Sequence, residues 1–441
     1  MDAITIFSIL WIALALSAGL LISKLMKKIN FPNVTGYLIA GILIGPWAIG
    51  LIFNSQENFN NILTKINWIS EIALGFIAFT IGGSFKLSAL KKVGKKATII
   101  SIFEALGASI LVIVSLLIAY ICKLNINIST ILIFGSIACA TAPAATLLVI
   151  NQYRAKGPVT ETLIPVVAFD DAVALIAFSI LFSIAKTLQF GGEFNFIEAF
   201  LIPTLEILIS LAIGAILGFV IGFATRWFKS RHNRLILCIA STLLCIGLAQ
   251  IDTKVVFGWN FSFQLSSLLT VMALGGVYIN IAKGVDITNE YLDKFTSPIF
   301  MLFFIISGAK LNFGVFASNN RWLVILIALI YIISRAIGKW LGAMAGSKAT
   351  KSDKVVQKYL GWTLIPQAGV ALGLAGNVQN YFAINNNGND QILEIGVIIY
   401  TVIIVSTMVY ELTGPLITKL ALTKAGEIKA TKLNNNLPKA S

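Results

Sequence analysis

The sequence predicts an all-α, polytopic membrane protein, and three observations support this fold class. Apolar residues make up 57% of the 441 residues, charged residues make up only 12%, and the mean hydropathy is +0.89. By comparison, charged residues make up about 25% of a soluble domain. Stretches of about 20 apolar residues recur along nearly the whole chain, and each can cross about 30 Å of hydrocarbon.

We expect about 13 transmembrane helices, called segments 1 to 13 below. Their approximate limits are 3–23, 33–52, 66–85, 97–122, 128–150, 161–186, 196–226, 234–251, 265–283, 295–315, 321–347, 359–380 and 391–418. Together they form one transmembrane domain, residues 1–420, and residues 421–441 form a short tail.

The basic residues predict how the chain is oriented. The net charge is +14, and most of the 33 lysine and arginine residues follow odd-numbered segments. Cytoplasmic loops of membrane proteins carry an excess of these residues. We therefore expect a multi-pass protein of the cytoplasmic (inner) membrane with its N-terminus outside and its C-terminal tail in the cytoplasm. The positive charge then needs no nucleic acid as a partner.

Two segments contain a proline deep in the membrane. Segment 5 reads ISTILIFGSIACATAPAATLLVI, and segment 12 contains LGWTLIPQAGVALGLAGNV. Proline removes a backbone donor and clashes with the preceding turn of a helix. We expect helix 5 to break at Ala142 and Pro143. The break in helix 12 is expected at Pro366, Gln367 and Gly369.

The two broken helices occupy matching positions in the chain. If segment 7, 196–226, is a linker, segments 1–6 and 8–13 form two six-helix sets of opposite orientation, and segment 5 corresponds to segment 12. Inverted repeats with interrupted helices at matching positions are typical of secondary transporters. We therefore predict two inverted six-helix repeats whose discontinuous helices 5 and 12 cross beside the acidic pair of segment 6.

Five charged side chains are expected at one level of the membrane. Asp170 and Asp171 are adjacent in segment 6, Glu104 lies in segment 4, and Arg335 and Lys339 lie one turn apart in segment 11. Counted from the cytoplasmic ends of their helices, Asp170 and Lys339 are both about 13 Å deep. Charges inside a membrane pair with one another or mark ion and proton pathways. A purely structural ion pair of Glu104 with Arg335 is one interpretation.

The acidic pair is the candidate site for a cation and a proton. Adjacent helix positions point about 100° apart, so one basic residue does not easily neutralise both Asp170 and Asp171. A buried carboxylate can exchange a proton for a metal cation, since either one neutralises it. Alkali ions prefer oxygen ligands, which these carboxylates, the Thr141 hydroxyl and carbonyl groups freed at the helix break supply. We expect an alkali ion to bind at Asp171, Asp170 and Thr141.

With these residues the chain resembles the monovalent cation:proton antiporters, in the branch of bacterial sodium/proton antiporters and potassium-efflux proteins. The resemblance covers about residues 5 to 420. It rests on NFPNVTGYLIAGILIGP, ATAPAAT, FDDA, GKWLG and PQAGVALGLA, which occur in family order. The adjacent aspartates of segment 6 together with a lysine on segment 11 are its most specific part.

The resemblance implies roles for the charged residues. Asp171 matches the principal cation and proton site of the family, and Asp170 matches the acid that forms a salt bridge with the lysine matched by Lys339. Arg335 lies one turn earlier and remains an alternative partner of Asp170, and Glu104 is a further candidate for ion pairing and proton coupling. Family members with two such acids tend to be electrogenic.

The resemblance also implies how the helices are used. Core helices, about 97–186 and 321–418, move against scaffold helices, about 3–85 and 234–315, which form a homodimer, and 196–226 is the linker helix. The protein is then an antiporter and not an enzyme, and it exchanges a monovalent cation for protons by alternating access. It needs no cofactor besides the transported cation, which is Na⁺, with Li⁺ and K⁺ as alternatives.

A sodium-coupled symporter of an organic anion on the same broken-helix fold is the alternative function. A symporter would not move protons outward when sodium enters, so the response of a pH gradient to Na⁺ separates the two. An intramembrane aspartyl protease needs acids from two different helices, whereas Asp170 and Asp171 are consecutive on one helix.

Overall fold

The computed structural model is helical throughout the parts of the chain that it describes, with turns between the helices. These parts are residues 3–29, 31–52, 55–83, 87–124, 126–190, 196–228, 230–251, 265–282, 285–311, 321–385 and 390–428. Most of the predicted tail, from residue 429 onwards, therefore lies outside the described residues.

Seventeen α-helices follow one another in the described residues. They are α1 (Ala3–Lys28), α2 (Asn33–Ile44), α3 (Ile49–Ile52), α4 (Gln56–Lys65), α5 (Asn67–Gly82), α6 (Leu87–Ile121), α7 (Ile128–Ala138), α8 (Pro143–Tyr153), α9 (Pro158–Phe190), α10 (Ile202–Ala224, after a π-helical turn at Ile197–Leu201), α11 (Arg231–Ala249), α12 (Ser267–Ile281), α13 (Val285–Ala309), α14 (Arg321–Ala349), α15 (Lys354–Thr363), α16 (Gly369–Ile384) and α17 (Asp390–Lys424).

The helices have the lengths and hydropathy of a multi-pass membrane protein. In the described residues eight helices are long and apolar enough to cross a membrane, and α4 with α5, bent by 44°, would be a ninth. Further apolar helices such as α7 and α12 are shorter. Each predicted segment overlaps one helix or a pair of helices. The number of 13 crossings and the inverted repeats stay predictions.

Both predicted helix breaks occur, and they touch each other. Between α7 and α8 the chain is non-helical at 139–142, and between α15 and α16 it is non-helical at 364–368. The backbone N–H of Ala142 donates to the carbonyl of Pro366 at 2.9 Å. Pro143 and Gly369 are the first residues of the helices that follow. Proline suits this position because the first N–H groups of a helix have no partner within it.

The apolar side chains form two large clusters. One joins α6, α7, α9, α14, α16 and α17, and the other joins mainly α2, α5, α10, α11, α12 and α13. Residues of α8 and α9 contribute to the second cluster as well. This packing fits the predicted division into core and scaffold helices, which remains a prediction.

Glycines bring α14 unusually close to α6. A β-carbon at Gly342 would lie 2.7 Å from the α-carbon of Glu104, and one at Gly338 would lie 2.7 Å from the α-carbon of Ala108. Because no side chain separates the two backbones here, Lys339, between these glycines, lies directly against α6. The GKWLG motif therefore has a packing reason that its sequence alone does not reveal.

We expect Gly342→Ala to destabilise the protein, since its methyl group would overlap α6. Overpacking of this kind costs about 1–3 kcal/mol. The matched control is Gly247→Ala on α11, where a β-carbon would meet nothing within 4 Å. Thermal unfolding of the purified proteins in detergent is the measurement. Equal unfolding midpoints for the two variants would contradict the close contact of α6 with α14.

Candidate functional site

The two adjacent aspartates of α9 have different surroundings. Both are buried, with Asp170 fully inaccessible and Asp171 exposed by 7%. Asp170 lies beside the ammonium group of Lys339, whereas Asp171 lines a small cavity next to the two helix breaks. The helical rotation between neighbouring residues thus directs the Asp170 carboxylate towards a basic residue and the Asp171 carboxylate towards the cavity.

Lys339 is the centre of the polar network. Its Nζ atom lies 2.8 Å from Oε2 of Glu104 and 3.5 Å from Oδ2 of Asp170. The same ammonium group donates to the carbonyl of Cys139 at 2.7 Å and to the hydroxyl of Thr141 at 2.6 Å. Glu104, Asp170 and Lys339, called the triad below, hold one carboxylate more than they hold ammonium groups.

Within the described part of the chain, Arg335 bonds to backbone carbonyls and not to a carboxylate. Its guanidinium group donates to the carbonyls of Ala138 at 3.1 Å, Ala140 at 2.6 Å and Ile365 at 2.7 Å. It also lies 4.7 Å from the ring centre of Tyr410. The interpretation of Glu104 and Arg335 as an ion pair is therefore wrong in this structure, because α6 packs closely at Lys339 and Arg335 lies over the helix breaks.

Gln367 supplies a further hydrogen-bond donor to the backbone carbonyls freed at the helix breaks. Its amide group donates to the carbonyl of Ile137 at 3.1 Å and to the hydroxyl of Tyr331 at 3.0 Å. The sequence predicts that carbonyl groups freed at the break ligate a cation. In this structure the carbonyls of residues 137–140 already accept hydrogen bonds from side chains, so they are not available to a cation in this conformation. Tyr331 was not singled out from the sequence, although it lies one turn before Arg335 on the same helix.

The ends of the broken helices fit the charges around them. α7 ends at Ala138 and α15 ends at Thr363, near the basic side chains of α14, and the C-terminal end of a helix carries partial negative charge. α8 begins at Pro143 and α16 begins at Gly369, close to the cavity of Asp171. Helix N-terminal ends are partially positive and stabilise an anionic carboxylate.

The cavity of Asp171 is small and otherwise apolar. Its volume is about 30 Å³, which is room for roughly two water molecules. The residues that line it come from the two breaks and from α5, α12 and α13, and Asp171 is the only ionisable residue among them. Thr141 is not among the lining residues, because its hydroxyl faces Lys339.

Comparison with known proteins yields one family and one fold. Residues 12–420 match the family of transmembrane sodium/hydrogen exchangers. The chain is 23% identical over 353 residues to the glutathione-regulated potassium-efflux system protein KefC of Salmonella arizonae, covering 75% of this chain and 52% of that protein. KefC of Klebsiella pneumoniae is 23% identical over 349 residues with the same coverage. The chain spans about half the length of the curated relatives it matches.

The fold matches a solved antiporter. Two structures of the sodium proton antiporter MjNhaP1 from Methanocaldococcus jannaschii have TM-scores of 0.70 and 0.71 at 20% identity. The first covers 96% of this chain and 99% of its own, and the second covers 100% of both. At this identity the likeness shows a common fold. Since the family match extends over residues 12–420, the chain belongs to the transmembrane sodium/hydrogen exchangers, which are transporters and not enzymes and need no cofactor.

Proposed function

We propose that this protein exchanges a monovalent cation, first of all Na⁺, for protons by alternating access. The observation that carries this proposal is the Asp171 carboxylate, which has no hydrogen bond or ion pair among the described residues and lines a small cavity next to the two helix breaks. A buried carboxylate without a fixed partner is strongly disfavoured, so it takes up either a proton or a cation. Because one replaces the other, cation transport in one direction is coupled to proton transport in the opposite direction.

The size and lining of the cavity favour a small cation over an organic anion. A volume of about 30 Å³ accommodates an alkali ion with a water molecule, and an organic carboxylate needs more space. No basic side chain is among its lining residues. The alternative of a sodium-coupled symporter of an organic anion therefore gains no support from the described residues.

The triad is proposed as a second proton site. Two carboxylates share the Lys339 ammonium group, and Oε1 of Glu104 and Oδ1 of Asp170 have no hydrogen-bond partner among the described residues. An unpaired buried charge is costly, so one further proton on the triad would balance it. In our proposal a cation at Asp171 displaces this proton as well as its own, which makes the exchange electrogenic.

The choice of sodium rests on likeness to other proteins. MjNhaP1 is described as a sodium proton antiporter, and the KefC relatives are described as potassium-efflux proteins. Carboxylate and water oxygens bind Na⁺, Li⁺ and K⁺ alike, so K⁺ and Li⁺ remain the alternative substrates. The proposed ligands are Asp171 first, with Asp170 and Thr141 reached when Lys339 moves away.

We also propose the cytoplasmic (inner) membrane, an outside N-terminus, a cytoplasmic C-terminus and a homodimer. The distribution of lysine and arginine supports the orientation. The homodimer through scaffold helices rests on the family resemblance, and α1, α3 and α4 of that scaffold border an apolar groove of about 570 Å³. It is lined by exposed side chains such as Phe7, Leu10 and Leu14.

Asp171→Asn is expected to abolish exchange, because an amide binds neither a proton nor an alkali ion as a carboxylate does. The measurement is the collapse of an imposed pH gradient in vesicles containing the purified protein after addition of Na⁺, Li⁺ or K⁺. Glu161→Gln, an exposed acid on the same helix, is the matched control and should retain parental activity. Full exchange by Asp171→Asn would refute the assigned cation site, and a parent without any cation response would refute the antiport.

A triple variant tests the role of the triad in charge movement. Glu104→Gln, Asp170→Asn and Lys339→Gln together remove its charges, whereas changing only Asp170 and Lys339 would leave Glu104 unpaired. We expect this variant to exchange cations with little voltage dependence. Flux is compared at zero and at about −100 mV, where one unit charge is worth about 2.3 kcal/mol. A triple variant as voltage-sensitive as the parent would mean that Lys339 is only a structural counter-ion.

A further inference from the structure

The start of α9 is capped by a residue from the far end of the chain. The carboxylate of Glu427 accepts hydrogen bonds from the backbone N–H of Val159 at 2.5 Å and of Thr160 at 2.8 Å. The hydroxyl of Thr160 donates to the same carboxylate at 2.6 Å. Glu427 is only 6% exposed although it is charged and follows the last helix. The helix with the two aspartates is thus held at its N-terminus by the segment after α17.

The segment 425–428 has a defined conformation that directs Glu427 to this position. Gly426 has φ +78°, and the N–H of Glu427 donates to the carbonyl of Leu422 at 3.0 Å, which is a Schellman ending of α17. The Glu427 carbonyl in turn accepts from the N–H of Lys156 at 3.2 Å. Ile428 is buried in an apolar cluster with residues of α8 and α9. The contact therefore consists of backbone, carboxylate and apolar parts.

The first turns of α9 depend on such an external partner. The first four N–H groups of a helix have no partner within it, and an anion there interacts favourably with the helix dipole. Pro165 lies inside α9 and has no N–H, so the carbonyl of Glu161 loses its intrahelical bond. Helices bend at such prolines. The direction of α9 after Pro165, and with it the site of Asp171, is then set partly by what holds its first turns.

We propose that Glu427 is a positioning residue for cation binding, because its carboxylate fixes the N-terminal turns of α9 to the end of α17. This inference rests on the proposed cation exchange at Asp171. Glu427 lies beyond residue 420, where the match to the family ends. Loss of the cap would let α9 tilt at Pro165 and weaken the arrangement of carboxylates around the cation.

Gly157 offers a second way to disturb the same contact. Its φ is +157°, and a β-carbon there would lie 2.6 Å from Cγ of Glu427. Gly157→Ala therefore strains the loop at this φ and also pushes the Glu427 side chain away, while the carboxylate remains in the chain. Gly157→Ala lies in the loop before α9, and a substitution of Glu427 lies in the segment after α17. Both variants should then produce the same defect.

The test combines transport with a measurement that does not need transport. Cation-driven proton flux in vesicles gives the half-saturating cation concentration for the parent, Glu427→Ala and Gly157→Ala. We expect both variants to raise it about fivefold, as for loss of a helix cap of about 1 kcal/mol. Amide hydrogen exchange of the peptide 158–164 should become faster in both. Thr162→Ala is the control, because its hydroxyl only donates to the Pro158 carbonyl and is exposed.

Each result decides the proposal. Unchanged half-saturation with faster amide exchange would mean that the cap is structural only, and unchanged amide exchange would refute the contact itself. An equal shift in Thr162→Ala would show that the effect is not specific to Glu427. If Glu427→Ala does not fold, Gly157→Ala still tests the contact. A parent without cation-driven flux would refute the proposed function. The amide-exchange measurement would then still test whether Glu427 caps α9.

Discussion

Two interrupted helices in a membrane leave backbone carbonyls that water cannot reach, and the whole site is built around satisfying them. Unpaired backbone groups are tolerated at membrane depth only where protein or a watery cavity supplies partners. Here Arg335 and Lys339 of α14 and Gln367 of the second break donate to the carbonyls of residues 137–140 and 365. The buried basic side chains therefore stabilise the interrupted backbone as well as the carboxylates.

This arrangement depends on how closely α14 approaches α6. The glycines on either side of Lys339 remove side-chain volume from the contact, so that the ammonium group lies between Glu104 and the first helix break. Asp170 then joins from α9, and its neighbour Asp171 is left to face the cavity. One close helix contact thus separates the two adjacent acids into a paired one and an unpaired one.

The sequence predicted the elements of the site better than their partners. Proline in an apolar segment identifies a helix break, and charges at equal depth identify a polar layer, since both follow from the membrane as a solvent. Which carboxylate Lys339 meets, and that Arg335 binds carbonyls, depends on backbone separations of a few ångströms between α6 and α14. The role of Glu427 could not be predicted from local sequence patterns, because the hydrogen-bond partners of its side chain lie more than 260 positions away along the chain.

Arg335 has one further consequence, which concerns the mechanical coupling of the two breaks. Its guanidinium group spans both helix breaks through the carbonyls of Ala138, Ala140 and Ile365. One side chain of α14 therefore joins the two broken helices, and a displacement of one break relative to the other would stretch its hydrogen bonds. Movement at one break is thus transmitted mechanically to the other through this side chain.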